Sequence, residues 1–262
     1  MTPATNTPVL LQREGAVAHI VLNRPEQLNV IDVGMAQALL GVCEAVAGDA
    51  GVRAVVVRGE GRSFGGGGDL RGFGDAPQAT ALAIIEPVHR ALRLLAAMPA
   101  PVLASLHGHV AGGSMSLALG CDLALAADDT RFHLAYGRVA ASCDVGGSWH
   151  LPRLVGLRRA LGIALLGDAV EAQQALDLGL INRLVPAAQR LEQTRRLAQQ
   201  LADGPTIAFG RMKSLLRSAF DHDLGTQLDL ERDAFHACAG TEDFREAVAA
   251  FLSRRPARFR GQ

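Results

Sequence analysis

The sequence predicts an α/β fold followed by a helical C-terminal region. Apolar, β-branched stretches alternate with helical runs up to about residue 190. Two of these stretches end in glycine-rich turns that lead into helix-like runs, and beyond Leu191 only helical patterns remain. Such alternation favours helices packed on a sheet, because each apolar face needs a partner layer. The expected division is a core over residues 1–190 and a helical region over 191–262.

Strands are expected at Val9 to Arg13, Val17 to Leu22, Val52 to Arg58, Pro101 to Leu106, Leu123 to Ala126 and Arg131 to Leu134. In most of them Val, Ile and Leu crowd a short run bounded by Gly, Pro, Asn or Asp. A last short strand, Asn182 to Val185, follows the turn at Gly179. Helices are expected at Met35 to Val46, Ala79 to Met98, Ala111 to Leu119, Gly147 to Leu154, Leu157 to Leu166 and Val170 to Leu178. The C-terminal region divides into four helices at Gly204-Pro205, Asp221 and Gly240, where helix-breaking residues fall.

Composition excludes several classes. With 262 residues, 49% hydrophobic and 20% charged, the chain has the length and apolar content for a sizeable core. Its formal net charge is zero, so no cationic excess marks it for nucleic acid. Met1 to Pro8 is polar and lacks the apolar run of a secretory signal, and no stretch suits a membrane span. Cys43, Cys121, Cys143 and Cys238 are scattered without metal spacing, as expected of reduced thiols in a cytoplasmic protein.

The chemistry is concentrated in two turns, Phe64-Gly65-Gly66-Gly67-Gly68-Asp69-Leu70 and His107-Gly108-His109-Val110-Ala111-Gly112-Gly113-Ser114. A strand that ends in glycines and turns into a helix leaves free N–H groups at the helix N-terminus. Two such termini aimed at one oxygen form an oxyanion hole without any side chain. Neither GxxxxGK[ST] nor a well-placed GxGxxG is present, so a nucleotide loop does not fit.

Further segments complete a pattern: Leu22-Asn23-Arg24-Pro25, the run to Cys121-Asp122, Asp144-Val145-Gly146-Gly147-Ser148-Trp149, Leu151-Pro152-Arg153-Leu154-Val155-Gly156 and Leu166-Gly167. In this order and spacing the chain resembles the crotonase (enoyl-CoA hydratase/isomerase) superfamily over nearly its full length. Its C-terminal stretches Gln227 to Asp233 and Phe244-Arg245-Glu246 are most similar to the ring-1,2-epoxyphenylacetyl-CoA isomerase branch. The resemblance implies a spiral of ββα units, a helical C-terminal trimerisation region and an acyl-CoA thioester substrate. It implies a homotrimer or hexamer, and no separate cofactor, because coenzyme A belongs to the substrate. The oxyanion donors map onto the backbone of Gly68 and Gly113, with Gly66, Gly67, Asp69 and Leu70 around the acyl group and Arg24 near the CoA nucleotide.

Hydratases of this family carry two glutamates, and the matching positions here are Ser116 and Tyr136. Neither hydroxyl replaces a carboxylate as a base near neutral pH, since tyrosine ionises at about 10 and serine needs an activator. The resemblance therefore points away from water addition. It leaves Tyr136 to line the acyl pocket, and Ser116 either to line it or simply to fill space. One carboxylate stands where other branches place theirs, Asp144. On the residues alone, Asp144 is either an N-cap for the helix from Gly147 or the acid/base. A single carboxylate that takes up a proton and returns it elsewhere suits an isomerase.

The remaining polar residues carry weaker signals. Asp69 reads as the cap of a short helical turn and Asp122 as the fixer of a helix-to-strand turn. His107 and His109 lack a third ligand at metal spacing, so no metal is expected. Glu86 and His89 share a helix face as a solvated pair, or as a second acid and substrate contact. Trp149 reads as core. Arg62, Arg71 and the cationic end (Arg254, Arg255, Arg258, Arg260) suit phosphates or ordinary surface.

Overall fold

The computed structural model describes residues 7–262; residues 1–6, part of the polar N-terminal stretch, lie outside the described residues. The larger sheet runs in the order β1 (Val9–Glu14), β2 (Val17–Leu22), β3 (Ala54–Gly59), β4 (Val102–Leu106), β6 (Leu123–Ala127), β9 (Arg183–Val185). β1 and β2 form an antiparallel hairpin, and every later neighbour is parallel. The second sheet joins β5 (His109–Ala111) to β7 (Arg131–His133) in parallel and β7 to β8 (Val170–Glu171) antiparallel. This is the expected α/β architecture. Two strands escaped the sequence reading. β5 and β8 span three and two residues, too short for any alternation to register, and β8 precedes a helix expected to start at Val170.

Parallel neighbours require crossovers, and the helices supply them. α1 (Val33–Ala47) links β2 to β3 and α2 (Pro77–Ala97) links β3 to β4. α3 (Gly112–Gly120) runs from β5 towards β6, with every residue from Gly113 to Gly120 buried. The sheet is covered on both faces, as its pattern shows. In β3, Val55 and Val57 pack with α1, α2 and α3, whereas Ala54 and Val56 pack with Leu197, Ala198 and Ala202 of α7 (Arg190–Ala202). Successive side chains point to opposite faces, so a strand buried on both sides reads as a continuous apolar run. α7, the first helix of the C-terminal stretch, thus forms one wall of the core.

α4 (Gly147–Val155), α5 (Leu157–Leu166) and α6 (Ala172–Leu178) follow, then α8 (Thr206–Ser218), α9 (Leu224–Ala239) and α10 (Glu242–Leu252). Asp122 does more than fix its turn. It accepts from Val102 N at 2.9 Å and pairs with Lys213 Nζ and Arg217 Nη2 of α8, each at 2.7 Å. Lys213 also donates to Leu95 O and Ala100 O, so the buried charge is fully partnered.

Trp149 is a correction: it is 37% exposed, and the Arg153 guanidinium lies 3.9 Å from its ring centroid. The buried positions of α4 are Gly147, Leu151 and Val155, a four-residue spacing that leaves residue 149 on the opposite face. The neighbouring His150 is half-buried, with its pKa pushed down to about 4 by burial and by the charges of Arg217 and Arg153. Burial also leads the lowering at His19, His107 and His133. An unfolded chain takes up protons below about 6.5 that these folded imidazoles refuse, so stability falls as pH drops from there towards 4. Urea midpoints measured across that window should decline steadily, and His150→Gln should make the decline shallower.

Candidate active site

The two glycine turns meet through a short chain of backbone bonds. Gly65 N donates to His109 O at 3.1 Å and Ala111 N donates to Gly65 O at 2.9 Å, which lays the first turn along β5. Two residues on, Ile31 N donates to Gly67 O at 2.7 Å and Asp69 N to Ile31 O at 3.0 Å. Gly68 thus forms a parallel bridge with Ile31 in which its two neighbours make the bonds, so its own N–H faces away from Ile31. Gly67 and Gly112 touch: a Cβ on Gly112 would stand 3.5 Å from Gly67 Cα. Both adopt positive φ, +95° and +47°, which glycine alone takes readily. Ser114 Oγ accepts from Gly67 N at 3.2 Å and locks the contact. Gly113, second residue of α3, lies in the turn where an N–H has no intrahelical acceptor. Among the described residues, no acceptor is found for Gly68 N or Gly113 N.

Asn29, missed in the sequence, holds the first turn from behind. Its buried amide donates to Glu60 O and Ser63 O, both at 2.9 Å, and its Oδ1 accepts from Arg24 N at 2.8 Å. Its φ is +53°, a conformation asparagine tolerates better than most residues, and that tolerance was the available signal.

Asp144 lies beside the second turn: a Cβ on Gly113 would stand 3.6 Å from its Oδ1. The side chain does not cap α4. Gly146 holds the N-cap position without a side-chain bond, and Asp144 contributes only its carbonyl, to Gly147 N at 2.9 Å. Its carboxylate instead accepts from the Tyr136 hydroxyl, which lies 3.0 Å from Ser116 Oγ. Burial, with the charge of Asp144, pushes the Tyr136 pKa above its usual value, so the phenol stays protonated and donates.

The next residue, Val145, is 2% exposed with φ at +51°, a left-handed conformation that is costly for a β-branched side chain. His89 of α2 supports it: Val145 N donates to His89 Nε2 at 3.2 Å. His89 is thus neither a free acid nor half of a solvated pair, while Glu86 is exposed. His89→Ala should release the turn and lower turnover by about tenfold, the effect of one lost hydrogen bond. Steady-state rates beside melting curves would check it, and an unchanged rate would show that the turn holds without the imidazole.

Other sequence candidates occupy quieter places. Asp69 caps the short turn Leu70–Gly72, and Arg71, hydrogen-bonded to its carboxylate, holds its pKa below the usual range. Leu70 is 57% exposed beside Asp69. Gly66 donates to Leu28 O at 2.8 Å. Arg24 pairs with Asp32, the cap of α1. His107 meets Gly61 O at 2.9 Å and His109 stacks near His133, and no metal-competent cluster occurs among the described residues. A cleft of about 700 Å³ adjoins Gly146 and His89 and is lined also by Leu92, Trp149, His150 and Ser214.

Chemically, two unpartnered N–H groups on touching turns suit a developing oxyanion, and the carboxylate beside Gly113 suits proton transfer. Residues 12–262 match the family model described as enoyl-CoA hydratase/isomerase. The chain is 36% identical over 258 residues to the 1,2-epoxyphenylacetyl-CoA isomerase of Escherichia coli K12, covering 97% of this chain and 98% of that one. It is 31% identical to the 2,3-dehydroadipyl-CoA hydratase of the same organism, over 97% and 99% of the two chains. Among solved structures, an enoyl-CoA hydratase from Polaromonas sp. JS666 superposes with a TM-score of 0.91 at 32% identity, over 96% and 99% of the chains.

Proposed function

Because the chain belongs to the enoyl-CoA hydratase/isomerase family, we propose that it is an acyl-CoA isomerase in which Asp144 moves the proton. The substrate thioester oxygen accepts from the N–H groups of Gly68 and Gly113. Asp144 removes a proton next to the carbonyl, the enolate charge rests on those two donors, and the same carboxylate delivers the proton at a different carbon. Each backbone donor contributes about 3 kcal/mol to the transition state. Gly66, Gly67, Asp69 and Leu70 border the acyl group, with Ser116 and Tyr136 behind Asp144, and Arg24 lies towards the CoA end. The acyl group we favour is the ring 1,2-epoxide of phenylacetyl-CoA, as in phenylacetate breakdown. There the oxyanion donors polarise the thioester while Asp144 assists ring rearrangement.

One observation carries the reading: a single carboxylate, Asp144, stands beside Gly113, and its near neighbours Ser116 and Tyr136 are hydroxyls. Hydration needs one group to activate water and another to handle the Cα proton. The hydratase among the relatives keeps a second reading open, and the substrates separate the two. Purified protein would receive ring-1,2-epoxyphenylacetyl-CoA, a 3-enoyl-CoA and crotonyl-CoA, with products read by mass. Conversion of either of the first two at unchanged mass supports the isomerase, whereas crotonyl-CoA gaining water overturns it.

We also propose a cytoplasmic homotrimer or hexamer built through the helical C-terminal region. Leu224, Phe251 and Leu252 are each at least 74% exposed on α9 and α10, apolar surface that a second copy would cover. Light scattering would give the mass.

A further inference from the structure

We propose that Tyr136 is a positioning residue for Asp144, and that Ser116, Tyr136 and Asp144 form a one-way hydrogen-bond chain registering the base to α3. The inference rests on the isomerase reading above and deepens it. An ionised carboxylate can only accept, so the single phenolic proton of Tyr136 goes to Asp144 Oδ1. The Tyr136 oxygen then accepts from Ser116 Oγ, 3.0 Å away. Ser116 is fully buried on α3, and a Cβ on Gly147 would stand 3.4 Å from its Cβ and closer still to its Oγ, so that hydroxyl has a fixed place.

What matters is where the chain begins. Ser116 is three residues from Gly113 on the same helix, and residues at this spacing share a face. The helix that offers the Gly113 N–H therefore also sets, through two hydroxyls, where Asp144 Oδ1 lies. Among the described residues Oδ2 has no hydrogen-bond partner, which leaves one oxygen for the migrating proton. Fixing the separation of base and oxyanion donor is the kind of pre-organisation that displacement of a reacting group destroys, at a cost of up to about 10²-fold. Burial beside Asp144 keeps the Tyr136 phenol protonated, so it orients the base without serving as one.

Tyr136 is the only tyrosine in the chain, which gives a readout that needs no substrate. The intensity ratio of the tyrosine ring doublet in the Raman spectrum reports how strongly the phenol donates. The wild-type protein should show a strong donor, and Asp144→Ala should abolish that signature. In kinetics with whichever ester the wild type isomerises, Tyr136→Phe should lower kcat by about 10- to 100-fold. KM should stay within about threefold, and adding Ser116→Ala to that variant should cost less than about twofold more, as coupled members of one chain do. Full kcat in Tyr136→Phe, or a strong-donor doublet that survives Asp144→Ala, overturns the proposal. A wild-type protein inert towards every ester would overturn the isomerase reading instead, and the doublet separates that failure from this one.

Discussion

Asp144→Asn should reduce isomerisation by about 10³-fold or more while leaving the fold unchanged. The substitution is isosteric, and the amide oxygen can still accept from the Tyr136 hydroxyl, so the turn loses no packing. It removes the carboxylate beside Gly113, and general acid/base catalysis contributes about 10²–10⁴-fold. Turnover of the preferred ester should vanish, while its affinity, read by calorimetry, and the melting temperature stay close to wild type. Binding should persist because the proposed oxyanion donors are backbone groups that the substitution does not touch. A variant that still isomerises would transfer the role to another residue and remove Asp144 from the mechanism.

Gly65→Ala should do comparable damage by another route. A Cβ at residue 65 would stand 2.6 Å from Ser114 Cβ and closer to its Oγ, a separation that real atoms do not sustain. Neither side can yield cheaply. Gly65 is tied to β5 by backbone bonds on both its N–H and its carbonyl, and Ser114 is fully buried on α3. The turns must separate, so Gly67 N loses Ser114 Oγ and Gly68 moves relative to Gly113. Overpacking of this kind costs about 1–3 kcal/mol, and each kcal/mol lowers the melting temperature by about 2–4 °C in a chain of this size. Turnover should fall about 10²-fold from the displaced donor alone. Gly72→Ala is the control. A Cβ there meets nothing within 4 Å, the residue lies outside the proposed site, and activity should stay within about threefold of wild type. Equal loss in both variants would mean that added bulk on this segment, and not the contact between the turns, costs the activity.

Much of the site was legible because its components are local. A strand ending in glycine before a helix announces free N–H groups whatever the distant packing. The four glycines of residues 65–68 divide into distinct duties only in three dimensions, however. Gly65 makes room for Ser114, Gly67 takes the left-handed backbone, and Gly68 turns its N–H away from Ile31. Asp144 was legible as one of two alternatives, cap or acid/base. The fold removes the cap, because Gly146 holds that position and the carboxylate turns to Tyr136 instead.

The supports were not legible. His89 and Val145 are separated by 56 residues and joined by a bond that depends on how α2 crosses the sheet. Asn29 reaches carbonyls more than 30 residues away. Trp149 was misread because aromatic rings are taken for core by default, although the four-residue spacing of the buried positions on α4 already set residue 149 outward.

By itself the sequence determined the order of strands and helices apart from the short β5 and β8, the two glycine turns, and a carboxylate with hydroxyls at the positions matching the hydratase glutamates. The elements and turns follow from side-chain period and glycine's freedom in φ, properties of neighbouring residues, whereas the matched positions follow from the resemblance to the family. Only the tertiary structure decided that Gly67 meets Gly112, that Ser116 reaches Asp144 through Tyr136, and that His89 steadies a strained valine. Partners across elements are chosen by crossover paths and helix rotation, which the packing of the whole core sets and no local pattern encodes.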